Sequence, residues 1–304
     1  MKREYVQLIT RKALLMLLLL PFMVSGCIKD NMDDCYKFPA ILALAEATVG
    51  GTPVNLQDVQ DVVLYIFDQD GKFLDRIVVS VNERTELDYP DATNLTIVGF
   101  ANVSETNELI TQLTLDSYEQ DGKITLKKLQ DYLSQPIYNS PSDIFWGEID
   151  ILNDRKAGET TTLSVKRIVS GVNVKIRGIK EYVSATDEDF RIVVSTDYNA
   201  VNFEGDAERG GANYMPAGGT FSSQSPSQLD IPTFRILSTL QGSPVTVKIY
   251  YKNVLVDTVT KDSDGNPLIA YNGKLLEVRI NYIGHVTVTI RTSEWDKESI
   301  WHTI

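Results

Sequence analysis

Apolar and polar residues alternate with a period of two through most of this 304-residue chain. In residues 172–179, VNVKIRGI, the apolar Val172, Val174 and Ile176 alternate with polar or charged residues. Successive side chains of a strand point to opposite faces, so this pattern predicts strands with one buried and one solvated face, as in antiparallel sheets. The same pattern predicts strands at residues 94–103, 191–197, 244–260, 274–283 and 285–291.

The segments between these strands give three further predictions. Residues 61–81, DVVLYIFDQDGKFLDRIVVSV, predict a β-hairpin because two apolar runs flank a DQDG turn, and residues 143–151 predict another strand. The segment from Glu204 to Gln228, rich in Gly, Ser and Ala, predicts a long loop. Between Glu105 and Leu133 helical spacing predicts one or two short helices packed on a sheet, carried by Leu109, Ile110 and Leu113 and by Leu126, Leu129 and Leu133.

The polar residues 153–162, NDRKAGETTT, separate two strand-rich halves and predict a domain boundary near residue 158. The chain is longer than one sandwich usually is. The predicted fold is therefore mainly β, with two tandem antiparallel β-sandwich domains at residues 36–158 and 159–304, the first of them with short helical insertions.

The first 26 residues read as a signal peptide, because basic residues precede the apolar core from Ala13 to Leu20, and Pro21 and small residues follow. A helix that crosses a bilayer of about 30 Å needs roughly 20 apolar residues, so a permanent transmembrane anchor is the weaker interpretation.

Val24, Ser25 and Gly26 lead directly into Cys27, and this arrangement resembles a bacterial lipobox. In a lipoprotein the cysteine thiol receives a diacylglycerol, cleavage makes that cysteine the first mature residue, and acyl chains such as palmitate hold the protein to the membrane. Cys27 is accordingly predicted to be the lipid attachment site, and the acidic residues 27–35 form a tether. The alternative is an ordinary signal peptide followed by a chance cysteine.

Lipid on Cys27 would leave Cys35 without an intramolecular partner, since the chain has only two cysteines. A disulfide framework is then excluded, and so is a cysteine metal site, because only His285 and His302 remain to complete four ligands. We expect Cys35 to be a small residue at the start of the fold, with a reactive thiol as the alternative. No bound cofactor or metal is predicted.

The chain carries a formal charge of −12. Cleavage after Gly26 makes the mature chain more acidic, at −15, because it removes Lys2, Arg3, Arg11 and Lys12 together with Glu4. An acidic surface without a basic patch disfavours nucleic acid and anionic lipid head groups as partners.

Two acidic turns, DQDG at 68–71 and DSDG at 262–265, suggest calcium at first sight. When each glycine is aligned with the sixth position of an EF-hand loop, Ile66 or Thr260 falls at the first position, which needs an acid or amide. Hairpin tips are the favoured interpretation, because Asp and Gly supply local hydrogen bonds and positive φ.

Catalytic motifs are absent from the sequence: it has no GxSxG, HExxH or GxxxxGK. The chain is predicted not to be an enzyme, although a pair of glycosidase carboxylates would meet only in the fold. Trp295 follows an alternating strand and is expected to pack in the core, whereas Trp301 is the more plausible exposed contact.

Several stretches occur together in one order along most of the chain: the lipobox, the tether that ends in DDC at 33–35, and the segments 63–74 (VLYIFDQDGKFL), 99–104 (GFANVS), 145–149 (FWGEI) and 167–179 (RIVSGVNVKIRGI). In this series the chain resembles the FimB/Mfa-type fimbrial anchor lipoproteins of Gram-negative anaerobes. Residues from about 183 to 270 match less clearly.

The resemblance implies two transthyretin-like β-sandwich domains and outer-membrane attachment through Cys27, with display on the cell surface. It also implies a place at the base of a fimbria, where the anchor terminates the fibre and limits its length. The partner would be a fimbrial structural subunit bound by β-strand addition. The sequence leaves open which subunit and which strand edge take part. The alternative is a surface glycan-binding lipoprotein that uses exposed aromatic residues such as Trp301.

Overall fold

The computed structural model describes residues 40–45, 59, 61–152, 160–216, 219–221 and 227–295. Strand is by far the commonest secondary structure among these residues, which confirms the prediction of a mainly β protein. The helical segments among them are one four-residue α-helix, α1 (Ile179–Tyr182), and one 3₁₀ helix, Glu119–Asp121. None of the helices within these residues is long and apolar enough to cross a membrane.

Strands β1 to β11 of the first half form one complete sheet of seven strands and contribute the other four, β6 to β9, to a second sheet. Their bounds are β1 Ala40–Ala45, β2 Asp61–Phe67, β3 Phe73–Ser80, β4 Arg84–Thr85, β5 Asn94–Ala101, β6 Glu108–Ile110, β7 Lys123–Leu126, β8 Lys128–Tyr132, β9 Gln135–Tyr138, β10 Phe145–Leu152 and β11 Thr160–Arg167. Seven of them pair in the order β3-β2-β5-β10-β11-β1-β4, and β1 and β11 pair in parallel. Apolar side chains of these strands, Leu64, Ile97 and Leu163 among them, are fully buried in one cluster.

Strands β12 to β22 of the second half form two further large sheets, one of them together with β6 to β9, and a small sheet of β17 and β20. Their bounds are β12 Val169–Arg177, β13 Phe190–Asn202, β14 Ala207–Tyr214, β15 Thr220–Phe221, β16 Gln228–Leu237, β17 Ser243–Pro244, β18 Thr246–Tyr251, β19 Val254–Val259, β20 Ile269–Ala270, β21 Lys274–Asn281 and β22 Thr287–Glu294. One sheet has the order β15-β16-β12-β21-β22, and the other has the order β19-β18-β13-β14-β9-β8. Val174, Val194 and Ile249 lie in the core that these strands share.

The period-two pattern is confirmed as strand structure at each predicted place. The hairpin predicted at 61–81 is β2 and β3, with Leu64 opposite Ile77 in antiparallel register. The segment 244–260 is the hairpin of β18 and β19, whose turn residues Lys252 and Asn253 both have positive φ.

The helices predicted between Glu105 and Leu133 are wrong. Apart from the short 3₁₀ helix, this region forms β6, β7 and β8, and β7 pairs with β13. Leu109, Leu129 and Leu133 are 50–59% exposed, so the leucines at helical spacing do not form one buried face. Leu133 and Ser134 have positive φ, which a right-handed helix excludes, and they form the turn between β8 and β9.

The long loop predicted from Glu204 to Gln228 is also wrong in its first part, because residues 207–214 form β14. Backbone pairing with β13 holds this strand despite its weak apolar pattern, and register shifts in β13 accommodate it. Ala212 and Tyr214 provide its buried contacts. Gly211 has φ +68°, a value that side chains rarely adopt.

Residues 153–159 lie outside the described residues, so the domain boundary near residue 158 stays a prediction. The first sheet extends beyond them through β11, which pairs with β1 at one end and with β10 at the other.

A cluster of aromatic rings joins the first sheet to the second half. Phe203, at the turn after β13, is fully buried, and its ring centroid lies 4.6 Å from that of Tyr65 and 5.2 Å from that of Phe100. A Cβ on Gly122 would lie 2.6 Å from the Phe203 ring, so this ring is packed against backbone. Aromatic pairs at these distances add about 0.5–1.5 kcal/mol each beyond their buried area.

Arg167 makes a second link between the halves. Its Nε and Nη2 atoms donate to the two carboxylate oxygens of Asp143 at 2.6 and 2.8 Å, and the Arg167 side chain is only 4% exposed. The guanidinium also lies over the rings of Phe145 and Trp295, at 5.2 and 4.7 Å from their centroids. Trp295 is buried, which confirms the prediction of a core position for it.

We expect Arg167→Met to lower the free energy of unfolding by about 3–5 kcal/mol, because it leaves the Asp143 carboxylate without its partner in a largely buried place. The double variant Arg167→Met/Asp143→Leu should recover most of that loss. Chemical denaturation of the purified chain measures both.

A matched control is Lys128→Met, which removes the exposed ion pair between Lys128 and Asp131. That change should cost less than about 1 kcal/mol. An Arg167→Met cost as small as the control's would show that the buried pair does not hold the halves together.

Candidate partner-binding strand edges

The predicted lipid site, Cys27, lies outside the described residues, as do Cys35, Trp301 and His302. His285 is exposed in the turn before β22. Lipid attachment at Cys27 therefore stays a prediction.

The two acidic turns are hairpin tips, as predicted. One carboxylate oxygen of Asp68 accepts hydrogen bonds from the backbone N–H groups of Asp70 and Lys72, both at 2.9 Å. Asp262 accepts in the same way from Asp264 and Asn266. Within the described ranges, no group of three or more His, Cys, Asp or Glu side chains is positioned to hold a metal ion.

A group of acids gathers where the 3₁₀ helix, β10 and the turn after β13 meet. Burial raises the pKa of Glu119 to about 7, together with the negative charges of Glu148, Glu204 and Asp150. The pKa of Glu148 is also raised, by burial first and then by Asp150 and Glu204. So concentrated a negative charge makes this surface unfavourable for an anionic partner.

Among the described strands, six lie at the ends of the main paths of the three large sheets, and each is a possible docking edge: β3, β4, β8, β15, β19 and β22. The three-residue strand β6, which pairs with β7, ends a side branch of the third sheet. Two of them, β4 and β15, have only two residues. Strand β8 carries charged side chains, Lys128 and Asp131 among them, and such charges protect an edge from pairing.

The edge of β22 is covered near its start, at Val288. The N–H of Ser263 donates to the carbonyl oxygen of Val288 at 2.9 Å, and the N–H of Val288 donates to Oγ of Ser263 at 2.7 Å. The hairpin tip at 262–265 therefore occupies the backbone groups of Val288, and the rest of β22 exposes polar side chains such as Thr289 and Arg291. Strands β3 and β19 remain as long edges with exposed apolar residues, such as Val78 at 56% and Val254 at 68%.

The backbone of β3 shows which of its groups face outward. The N–H of Arg76 donates to Oδ1 of Asp75 at 2.7 Å, so it takes no part in the ladder with β2. Alternate residues of an antiparallel edge strand point their N–H and C=O groups away from the neighbour. Arg76 therefore belongs to the outward-facing set, and no described strand pairs with it there.

The segment 104–115 lies near this edge and is fixed by the carboxylate of Glu108, which is 1% exposed. Glu108 accepts hydrogen bonds from the N–H of Ser104 at 2.8 Å and from the N–H of Ser142 at 2.6 Å. Burial raises the pKa of Glu108, and these hydrogen bonds oppose the rise. The role of Glu108 could not be predicted from the sequence, because one acid beside Leu109 and Ile110 gives no signal that it is buried.

A small aromatic surface lies at the end of α1. The exposed ring of Tyr182 lies 4.6 Å from the ring of Tyr282 at an interplanar angle of 33°. The Tyr282 hydroxyl donates to Asp257 at 2.7 Å, and this hydrogen bond fixes the Tyr282 ring beneath Tyr182. Exposed rings of this kind can stack on a flat apolar ligand face.

Two known proteins similar to this chain are described as fimbrial anchors. The chain is 27% identical to the major fimbrium anchoring subunit FimB of Porphyromonas gingivalis, and the alignment covers 92% of this chain and 94% of that subunit. Among solved structures, the fimbrial anchor protein Mfa2 of P. gingivalis matches with a TM-score of 0.59 at 13% identity, over 85% of this chain and 97% of Mfa2.

A Bacteroides thetaiotaomicron protein whose polysaccharide binding is only proposed matches with a TM-score of 0.65 at 13% identity, over 86% of this chain and 99% of that one. At such identities a structural match shows a shared fold alone. The sequence evidence is broader, because the family model of the fimbrillin-A associated anchor proteins Mfa1 and Mfa2 matches residues 32–301. This match spans nearly the whole chain, and the resemblance found in the sequence is thereby confirmed: the chain belongs to the family of fimbrillin-A associated anchor proteins.

Proposed function

We propose that this chain is an outer-membrane lipoprotein that anchors a fimbria and ends its growth at the cell surface. The observation that carries the proposal is the family match over residues 32–301. The role requires binding to a fimbrial subunit and to the membrane, and it requires neither catalysis nor a cofactor nor nucleic acid.

Membrane attachment is proposed to run through acyl chains on Cys27. Each buried CH₂ contributes about 0.8 kcal/mol, and stable anchoring takes more than one chain. The acidic residues that follow, up to Cys35, would act as a tether that displays the folded body outward.

Binding of the fimbrial subunit is proposed to use β-strand addition, with the body as two tandem transthyretin-like sandwiches. An added strand gains affinity from main-chain hydrogen bonds, and pockets for alternate side chains set its register. The long, partly apolar edges of β3 and β19 support this mode, because they have unpaired backbone groups available among the described residues.

The experiment that tests the proposal is isolation of the native full-length chain in mild detergent from cells that carry fimbriae. We expect a fimbrial subunit to co-purify and to stay bound in about 1 M salt, where the Debye length is about 3 Å, because backbone pairing does not depend on long-range charge. Release of the subunit by salt alone would contradict strand addition. Absence of a fimbrial subunit at low salt would contradict the anchor role.

Glycan binding is the second candidate function. The exposed Tyr182 ring, stacked on Tyr282, supports it, as does the fold shared with the B. thetaiotaomicron protein. A Tyr182→Ala variant that loses saturable sugar binding, while it still holds the fimbrial subunit, would assign this surface to glycans.

A further inference from the structure

A cavity of about 830 Å³ lies along the outer edge of β3. Residues 73–76 of β3 form one wall, and residues 108–115 form the other. Leu109 and Leu115 on the second wall are 56% and 64% exposed, and Leu74 and Phe73 lie on the first. We call this cavity the β3 groove. At its first residue the edge is already paired, since the N–H of Phe73 donates to the carbonyl oxygen of Ser117 at 2.9 Å. From Asp75 onward no described strand pairs with β3 on this side, and apolar side chains lie on the facing wall.

A second cavity of about 210 Å³ adjoins the β3 groove at Leu74, which lines both. Three carboxylates, those of Asp68, Asp88 and Asp91, line this second cavity, and the groove itself adds further acids. With Asp75, Glu105 and Glu108 against Arg76 and Lys127, the charged residues that line the two cavities sum to −4. The pair of cavities is therefore complementary to a segment that carries a basic residue.

Asp75 occupies the edge in the free chain. Its Oδ1 accepts the N–H of Arg76 at 2.7 Å, and its Oδ2 accepts the hydroxyl of Tyr89 at 3.1 Å. An incoming carbonyl oxygen could replace the Asp75 carboxylate on the Arg76 N–H. The N–H of Arg76 therefore has a hydrogen-bond partner in the free chain, and it can exchange that partner for an incoming strand.

We infer that the β3 groove is the acceptor site for an extended strand of a fimbrial subunit, with apolar side chains at alternate positions and a basic residue that reaches Asp88 and Asp91. This inference rests on the proposed function and names its site. The backbone of the strand pairs with β3, and its apolar side chains lie against Leu109 and Leu115. Pairing here lengthens the sheet that begins at β3 by one strand.

The test places the photo-crosslinking residue benzoylphenylalanine in the full-length chain, in its own cells, at one position at a time. Position 76 lies on the β3 wall and position 109 on the facing wall, while position 255 lies on the edge of β19 as a matched control. Leu255 is 50% exposed, close to the 56% of Leu109. We expect irradiation to link positions 76 and 109 to a fimbrial subunit, identified by mass spectrometry, with only background at position 255.

The alternative outcomes separate this inference from the proposed function. Crosslinks to a fimbrial subunit at position 255, with background at 76 and 109, would overturn the β3 groove and leave the anchor role intact. Background at all three positions, although the subunit co-purifies, would likewise overturn the groove. A chain that neither crosslinks to a fimbrial subunit nor co-purifies with one would overturn both.

Arg76→Pro provides a second test. Proline removes the outward-facing N–H of residue 76, and it leaves the hydrogen bonds between β3 and β2 intact. Leu255→Pro is its counterpart on β19. Each variant is first checked for cooperative thermal unfolding. We expect loss of the co-purified subunit with folded Arg76→Pro and retention with Leu255→Pro, and the reverse would contradict the inference.

The predicted basic residue of the incoming strand is tested by variants that leave the β3 edge unchanged. In Asp88→Asn/Asp91→Asn the acids of the second cavity become neutral, and we expect association with isolated fimbrial subunits to slow by about tenfold at low salt. An unchanged association rate would overturn the requirement for a basic residue.

Discussion

Replacing Cys27 with alanine should remove the chain from the outer membrane, because acyl chains on Cys27 are the only outer-membrane attachment that the sequence predicts. A single acyl chain binds membranes only marginally, with an association constant of about 10⁴ M⁻¹, so loss of all the chains leaves no stable attachment. Separation of inner and outer membranes on a density gradient, followed by detection of the chain in each fraction, measures the effect.

The matched control is Cys35→Ala, which removes the other cysteine and leaves the lipobox intact. This variant should stay in the outer membrane and incorporate labelled palmitate, whereas Cys27→Ala should incorporate none. If Cys27→Ala still sediments with the outer membrane after a salt wash, the lipoprotein prediction is wrong.

Deleting the chain should give fimbriae that are longer than normal or that are shed into the medium. In the proposed role the anchor ends the fibre when it adds to the last subunit, so its loss removes both the stop and the attachment. Electron microscopy of the deletion strain measures fibre length, and the culture medium shows the shed fraction.

A strain that carries Arg76→Pro in place of the wild-type chain separates the two roles of the anchor. Its chain would still reach the membrane through Cys27, but it would not hold the fibre at the β3 groove. We expect the same long or shed fimbriae as in the deletion strain. Fimbriae of normal length and attachment in the Arg76→Pro strain would contradict the groove.

Most of the strand structure could be predicted, because alternation directly reflects the two faces of a strand. Val172, Val174 and Ile176 are all fully buried on β12, as their spacing indicates. The two-residue turn at Lys252 and Asn253 lies between two clear apolar runs, so that hairpin is a local feature of the sequence.

The region from Glu105 to Leu133 could not be predicted, since its strands depend on distant partners. Thr125 of β7 pairs with Ala200 of β13, and no local spacing signals that contact. Leucines at helical intervals were misleading, because Leu109 and Leu129 are exposed at 56% and 59%. Tertiary pairing here outweighs the local pattern.

The candidate site also has one part that could be predicted from the sequence and one part that could not. Cys27 could be named from the sequence, because a lipobox is a local motif. The edge of β3 could not, since an edge strand is defined by which strands are missing beside it, and Val78 resembles any other strand valine. The contact between Arg167 and Trp295 also depends on the fold, because these residues lie far apart in the chain.

The central claim, a lipid-held anchor at the base of a fimbria, is tested most directly by the fraction of fimbrial subunit that stays on the cells. The measurement compares deletion strains that receive either the wild-type chain or the Cys27→Ala chain. We predict that the wild-type chain restores fimbriae of normal length on the cells, and that with Cys27→Ala most of the fimbrial subunit appears in the medium. Fimbriae that remain attached and of normal length in the deletion strain, or that stay on the cells with Cys27→Ala as they do with the wild-type chain, would contradict it.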